Sequence, residues 1–177
     1  DRTLAEKDSL YNIWILKPGT GTNRGIGVKC FDSIETCKAH MEKWGNRKTP
    51  LFNWIIQKYM ERPLLIKNRK FDIRAYACVT HNLELYFYED GYLRTSSMEF
   101  TMDNVEDRNI HLTNWAVQKK CENFGELEDA NQMDFQQFQD YLDENYAEDK
   151  VNFREQLLPQ MKTLVKNSFL ASEKSLN

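Results

Sequence analysis

The chain has 177 residues, 41% of them hydrophobic, enough apolar material for about one domain with its own core. Its 24 basic residues against 27 acidic leave a net charge of -3, which excludes the overall basic field of a nucleic-acid or anionic-membrane binder. The longest apolar runs, such as residues 13–16, fall far short of the roughly 18 needed to span a bilayer, so a soluble chain is expected.

The sequence begins at Asp1, and "DRTLAEKDSL" has neither the basic start nor the apolar stretch of a secretory signal. The missing initiator Met points to a fragment. Cys30, Cys37, Cys78 and Cys121 are scattered without a CxxC pair, which argues against a zinc ribbon or redox motif and for reduced thiols in the cytosol. Cys37 and His40 stand one helical turn apart with no second pair, so packing is expected there rather than metal binding.

In chain order, residues 11–17 read as a strand ending at Pro18, and residues 26–31 as a second strand. Gly19, Gly21, Gly25 and Gly27 lie in the hairpin loop between them. Asp32 or Ser33 then caps a helix to about Trp44, and "GNRKTP" is a loop. Residues 52–60, "FNWIIQKYM", read as a strand buried on both faces and ended by Pro63.

In "KFDIRAYACVT" the alternation sends Phe71, Ile73, Ala75, Ala77 and Val79 to a packed face and Lys70, Asp72, Arg74 and Tyr76 to a charged one. A turn at Asn82 leads into "LELYFYE", completing an antiparallel hairpin, and "YLRTS" reads as a further short strand after Gly91. Residues 97–126 read mostly as loop, with a helix near 115–119. Two amphipathic helices follow, one with Phe135, Phe138, Tyr141 and Leu142 on its stripe, the other with Phe153, Leu157, Leu158, Met161, Leu164, Val165 and Phe169. Strands with helices beside them predict an α+β, or mixed α/β sheet, domain.

The glycine segment lacks the GK[ST] ending of a P-loop, and Arg24 stands where a dinucleotide fingerprint needs glycine. A glycine-rich hairpin can still cover phosphates, because its backbone N–H groups approach without Cβ obstruction, and Lys17 just before it supplies a point charge. An exposed hairpin with an incidental lysine fits the segment equally well. On the charged strand, Lys70 suits phosphate, Asp72 a ribose hydroxyl or cation, and Arg74 a carboxylate or phosphate held by two parallel hydrogen bonds; the alternative is a solvated face with a cross-strand ion pair. Arg94 in "LRTSS" suits an anion. In "IHLTN", a structural donor is preferred for His111 over a general base, while Thr113 and Asn114 suit phosphate or a metal-bound water.

Taken together, "WILKP…RGIG", "QKYMERPLLI", "RKFDIR", "LRTSS" and "HLTN" occur in the order found in the tubulin tyrosine ligase and tubulin tyrosine ligase-like family, which the chain resembles over roughly residues 12–142. The resemblance implies an ATP-grasp fold, incomplete at both ends: 12–60 as glycine-rich lid and hinge, 61–114 as catalytic sheet, 134–173 as packing helices. It implies an ATP-dependent ligase in which a carboxylate of a tubulin tail is activated as an acyl phosphate and attacked by a free amino acid (glutamate, glycine or tyrosine), in the cytoplasm on the microtubule cytoskeleton, including cilium and basal body. Carried over by motif, Lys17, Arg24, Gly25, Ile26 and Gly27 resemble the phosphate lysine and nucleotide cover, with Arg24 also similar to an arginine that meets the acceptor chain. Gln57, Lys58, Tyr59 and Met60 resemble the adenine hinge, and Lys70 and Asp72 the pair contacting ATP. Thr113 and Asn114 match a "TN" pair near the phosphates. Arg74 and Arg94 resemble the catalytic guanidinium groups. Magnesium ligands are expected downstream of Asn177, so this piece alone is expected to be inactive. A non-catalytic member serving as a microtubule- or protein-binding module is the alternative.

Overall fold

A run of apolar residues from Ile13 to Leu16 builds the first strand of the computed structural model, which describes residues 11–20, 22–45 and 53–175. Gly21, residues 46–50 of the expected "GNRKTP" loop and the start of the third expected strand at Phe52 lie outside the described residues, while Gly45 of that loop ends the preceding helix. The chain divides into two units, one of Asp1–Phe71 with Thr95–Asn131, the other of Asp72–Arg94 with Gln132–Asn177. The described helices and strands make a mixed α+β architecture.

In the first unit, β1 (Trp14–Pro18) is the centre of an antiparallel sheet ordered β2-β1-β3, with β2 at Lys29–Phe31 and β3 at Trp54–Lys58. The glycine segment therefore does join two antiparallel strands. Ile15 pairs with Cys30 on one side and Gln57 on the other, and Lys17 pairs with Ile55. Ile13, Ile15, Cys30 and Tyr59 pack with Leu112 and Val117 in one buried cluster. Helix α1 (Ile34–Gly45) starts where Ser33 accepts from the Thr36 amide at 3.3 Å, so of the two expected caps Ser33 serves.

One expectation fails here: β3 is not buried on both faces, since Ile55 and Ile56 are 52% and 57% exposed. Among the described strands it lies at an edge and pairs with β1 alone, and α1 packs beside β2 at the other edge. Trp14, Leu16, Phe31 and Ile56 line one wall of an open apolar groove of about 690 Å³ against Ile34 and Met41 of that helix.

A second sheet runs in the order β4-β5-β6-β7, with β4 at Leu65–Ile66, β5 at Arg69–Val79, β6 at Leu85–Thr95 and β7 at Gln132–Asp134. The chain passes from the first unit to the second within β5 and returns within β6. The hairpin turn is closed by Thr80 N–H donating to Glu84 O at 3.0 Å, with Leu83 at φ 62°. No separate strand follows Gly91, because β6 continues through it. A Cβ there would sit 2.3 Å from Arg74 O and 2.9 Å from Phe135, so glycine permits a close strand approach that a side chain would prevent.

The packed face expected on β5 is only partly covered: Ala77 is exposed, and Ile73, Ala75 and Val79 are half-buried. Near the hairpin tip, Val79, Leu83 and Leu85 border an open groove of about 370 Å³ against Phe169 and Leu170.

Between β6 and β7 the chain forms two short helices, α2 (Arg108–His111) and α3 (Trp115–Gln118), the second where the sequence places one. Helix α4 (Phe135–Asn145) begins with a reciprocal cap, Asp134 and Gln137 each accepting the other's amide hydrogen at 2.8 Å. Its Phe135, Phe138 and Leu142 are buried, with the Phe153 ring tilted against that of Phe135, ring centres 4.5 Å apart. The last stripe is interrupted: Phe153 and Leu158 are buried, but Leu164 is 66% exposed. A π turn, Phe153–Leu157, precedes α5 (Leu158–Ser172), and its extra residue rotates the stripe by roughly 100°. No described helix is long and apolar enough to cross a membrane.

Candidate functional site

The glycine segment is a pinned turn. Arg24, Gly25 and Gly27 have φ of 56°, 75° and 78°, and the turn is closed by Ile26 N–H to Asn23 O at 3.0 Å and Val28 N–H to Gly25 O at 3.3 Å. Gly27 is buried and Ile26 exposed. Arg108 donates to Gly25 O at 2.7 Å. A Cβ on Gly25 would lie 2.9 Å from Asn114 Oδ1, so the segment closes directly onto the "TN" pair, where Thr113 is half-buried.

The same unit carries two lysines, each held by a residue of the "QKYM" run. Lys17 Nζ donates to Gln57 Oε1 at 2.8 Å. Lys70 Nζ donates to Tyr59 OH and to His111 O, both at 2.9 Å. His111 is buried between Tyr59 OH, 3.0 Å from Nδ1, and Asn104 O, 3.0 Å from Nε2, so it is a structural group in this structure. Burial pushes its pKa below the usual imidazole value, and burial raises the Tyr59 phenol. Burial also pushes the Cys30 thiol up to about 11, against the opposing pull of Lys70 and Lys17. Lys58 instead faces Glu61, and Met60 is 68% exposed.

In the second unit, Arg94 holds Asp72 through Nε to Oδ1 at 3.0 Å and Nη2 to Oδ2. This pairing, with burial opposing it, raises the Arg94 pKa. Arg74 is exposed, its guanidinium 5.3 Å from the Tyr76 ring centre. A hydrogen bond from Tyr92, with help from Arg74, lowers the Tyr76 pKa. The cross-strand ion pair weighed from sequence thus exists, between Asp72 and Arg94.

Several supporting residues escape sequence reading. Arg69 is buried with Glu128, its Nη2 2.5 and 2.6 Å from the two carboxylate oxygens, and also reaches Thr95 and Ser96 O. The available signal was a charge at an odd position of an alternating strand, where burial demands a partner. Gln118 is buried too, accepting from Ser97 N–H at 2.7 Å and donating to Asn109 O and Leu112 O, which fixes the chain just before and within "HLTN". Arg108 carried no motif. Among the described residues, no three His, Cys, Asp or Glu side chains gather as a metal site; the His40 Nε2 lies 3.1 Å from Gly27 O.

The donor set of the first unit suits a polyphosphate: a glycine turn whose Gly25 has a φ of 75°, with the ammonium of Lys17 on β1 and that of Lys70 on β5. A model of the tubulin-tyrosine ligase family matches residues 2–177. Tubulin glycylase 3B of Drosophila melanogaster is 42% identical, covering 76% of this chain and 18% of that protein. Tubulin monoglycylase TTLL3 of Homo sapiens is 39% identical, over 75% and 18%. Tubulin glycylase 3B of Tetrahymena thermophila is 37% identical, over 87% and 12%. The chain thus spans less than a fifth of the length of each of these three relatives.

Proposed function

The chain belongs to the tubulin-tyrosine ligase family, and on that footing we propose that it is part of an ATP-dependent ligase that adds glycine to tubulin tails. The observation that carries this reading is the kinship with proteins named as tubulin glycylases, at 37% to 42% identity over three quarters or more of the chain. It narrows the choice among glutamate, glycine and tyrosine that the motifs leave open, and it favours a ligase over a non-catalytic binding module.

The family's ATP-grasp-like fold gives the first-unit residues their roles. Arg24, Gly25, Ile26 and Gly27 cover the nucleotide, Lys17 and Lys70 neutralise its phosphates, and the 57–60 run borders the base. Thr113 and Asn114 lie where the cover closes. ATP, when bound, supplies the phosphoryl group that activates the tail carboxylate for amide formation. Magnesium, its usual companion, is assigned no ligand among the described residues. Arg74 and Arg94 hold carboxylate and phosphoryl oxygens, whose charge a guanidinium already fixed in place, as that of Arg94 is, stabilises without reorganising. Asp72 keeps Arg94 in place. The setting is the cytoplasmic microtubule cytoskeleton, with ciliary microtubules included.

The test uses the intact protein with tubulin, MgATP and radiolabelled glycine, glutamate or tyrosine in separate reactions. Glycine label in the tubulin band is expected. Label from glutamate or tyrosine alone would replace the glycine reading, and label from none of the three would reject the ligase.

A further inference from the structure

Four groups in the first unit form one chain of hydrogen bonds whose direction is settled by what each can donate. Asn104 O can only accept, so His111 Nε2, 3.0 Å away, carries the ring proton. The neutral imidazole then presents Nδ1 as an acceptor, and Tyr59 OH, 3.0 Å from it, must donate. With its one proton committed, the Tyr59 oxygen is left to accept, and Lys70 Nζ donates to it at 2.9 Å. The backbone of the same histidine holds the ammonium a second time, His111 O accepting from Lys70 Nζ at 2.9 Å.

Tyr59 and His111 are 5% and 2% exposed, so water does not substitute for either partner. Tyr59 is itself anchored by its amide donating to Ile13 O at 3.0 Å. Edge-on contacts of the imidazole with the Tyr59 ring at 5.5 Å and the Phe100 ring at 5.7 Å fix the plane of His111.

We infer that Tyr59 and His111 are positioning residues for Lys70, holding its ammonium at a fixed point of the phosphate site through a one-way chain from Lys70 to Tyr59, His111 and Asn104. A lysine stem has several freely rotating bonds, and an ammonium is a point charge with no directional fork of its own. Two rigid acceptors on one residue's carbonyl and one buried phenol supply the direction it lacks. The inference rests on the reading of Lys70 as an ATP-contacting residue in the proposed ligase.

The experiment is a double-mutant cycle on the intact protein, measuring glycine incorporation into tubulin as a function of ATP concentration. Lys70→Ala alone should raise the KM for ATP by about tenfold or more, and Tyr59→Phe alone by roughly tenfold, with kcat changing less than KM. Because both act through one ammonium, the pair together should raise it no further than Lys70→Ala. Effects that multiply in the double variant, or a normal KM for Tyr59→Phe in a folded protein, would overturn the positioning role. If Lys70→Ala itself leaves the KM unchanged, the assignment of Lys70 fails, a distinct outcome from failure of the hydrogen-bond chain. Should Tyr59→Phe not fold, His111→Gln and His111→Phe take its place. The amide retains a donor and an acceptor, so a smaller rise in KM is expected for glutamine than for phenylalanine, and equal rises would count against the chain.

Discussion

Arg94 grips Asp72 across the β5–β6 hairpin with two parallel hydrogen bonds, Nε to Oδ1 at 3.0 Å and Nη2 to Oδ2. Their side chains are 20% and 35% exposed, so the pair is half-wet rather than core. A fork-to-carboxylate contact in such a place does more to orient the guanidinium than to stabilise the fold.

Arg94→Lys separates those two roles. An ammonium cannot reproduce the double contact, so in the proposed ligase glycine incorporation should fall about 10²-fold if the guanidinium stabilises developing charge. The stability cost should be about 1 kcal/mol or less for a partly solvated pair. Urea unfolding and turnover measured on the same preparation check both. A large stability loss with unchanged turnover would make the pair structural.

Arg69 and Glu128 make the opposite case. At 3% and 8% side-chain exposure they are buried, and Thr95 and Ser96 O satisfy further donors of the guanidinium. Glu128→Ala leaves a buried cation without its main counterion, which costs about 3–5 kcal/mol. A fall in the urea midpoint of the intact protein to match is expected, with Glu128→Gln intermediate because an amide still accepts a hydrogen bond.

His111 makes stability depend on pH. Burial lowers its pKa in the folded chain below the unfolded value of 6.5, Lys70 adding to the effect while the Asn104 carbonyl and Asp107 oppose it. The unfolded chain therefore binds the proton more readily, so stability is full above the unfolded value and is lost as pH falls from there toward the folded value. His40, lowered mainly by burial, acts in the same sense. Unfolding midpoints measured across this acid range should fall with pH, and His111→Gln should shrink the dependence without abolishing it. An unchanged slope in the variant would remove His111 as a source.

Much of the site was legible because chemistry and period coincide in the sequence. Lys17 precedes a glycine hairpin, and the structure puts that hairpin between β1 and β2; Asp72 and Arg94 occupy matching faces of adjacent strands and do meet. What stayed hidden depends on position in the sheet. The 54–58 run has the composition of a central strand, yet it lies at an edge, a fact set by strand order rather than by its own residues. Gly91 reads as a break but sits inside a strand, because the cause is the carbonyl of Arg74 across the hairpin. By motif Tyr59 resembles part of an adenine hinge, and nothing in the motif marks that its phenol holds Lys70. Such contacts join residues far apart in sequence, where no local pattern marks them.

Gly25 concentrates the demands of the glycine turn in one residue. Its φ of 75° is one that an L side chain adopts only at a cost, roughly 1–2 kcal/mol. A methyl group there would also meet Asn114 Oδ1 at 2.9 Å, and that atom is the movable end of a side chain. Gly25→Ala should therefore both strain the turn and push Asn114 from its place, raising the KM for ATP in the proposed ligase by about tenfold, or roughly 1.4 kcal/mol. Removing the obstacle with Asn114→Ala in the same chain relieves the crowding but not the backbone, so recovery of stability should be partial. Gly19→Ala is the control. Its φ lies outside the left-handed region, and the three nearest atoms to a methyl there all belong to Asn53, Cβ and O at 3.3 Å, a crowding that a shift of a few tenths of an ångström relieves, so near-normal ATP dependence is expected. Equal damage from both alanines would show that the loop needs general flexibility, and the specific fit of Gly25 against Asn114 would fall.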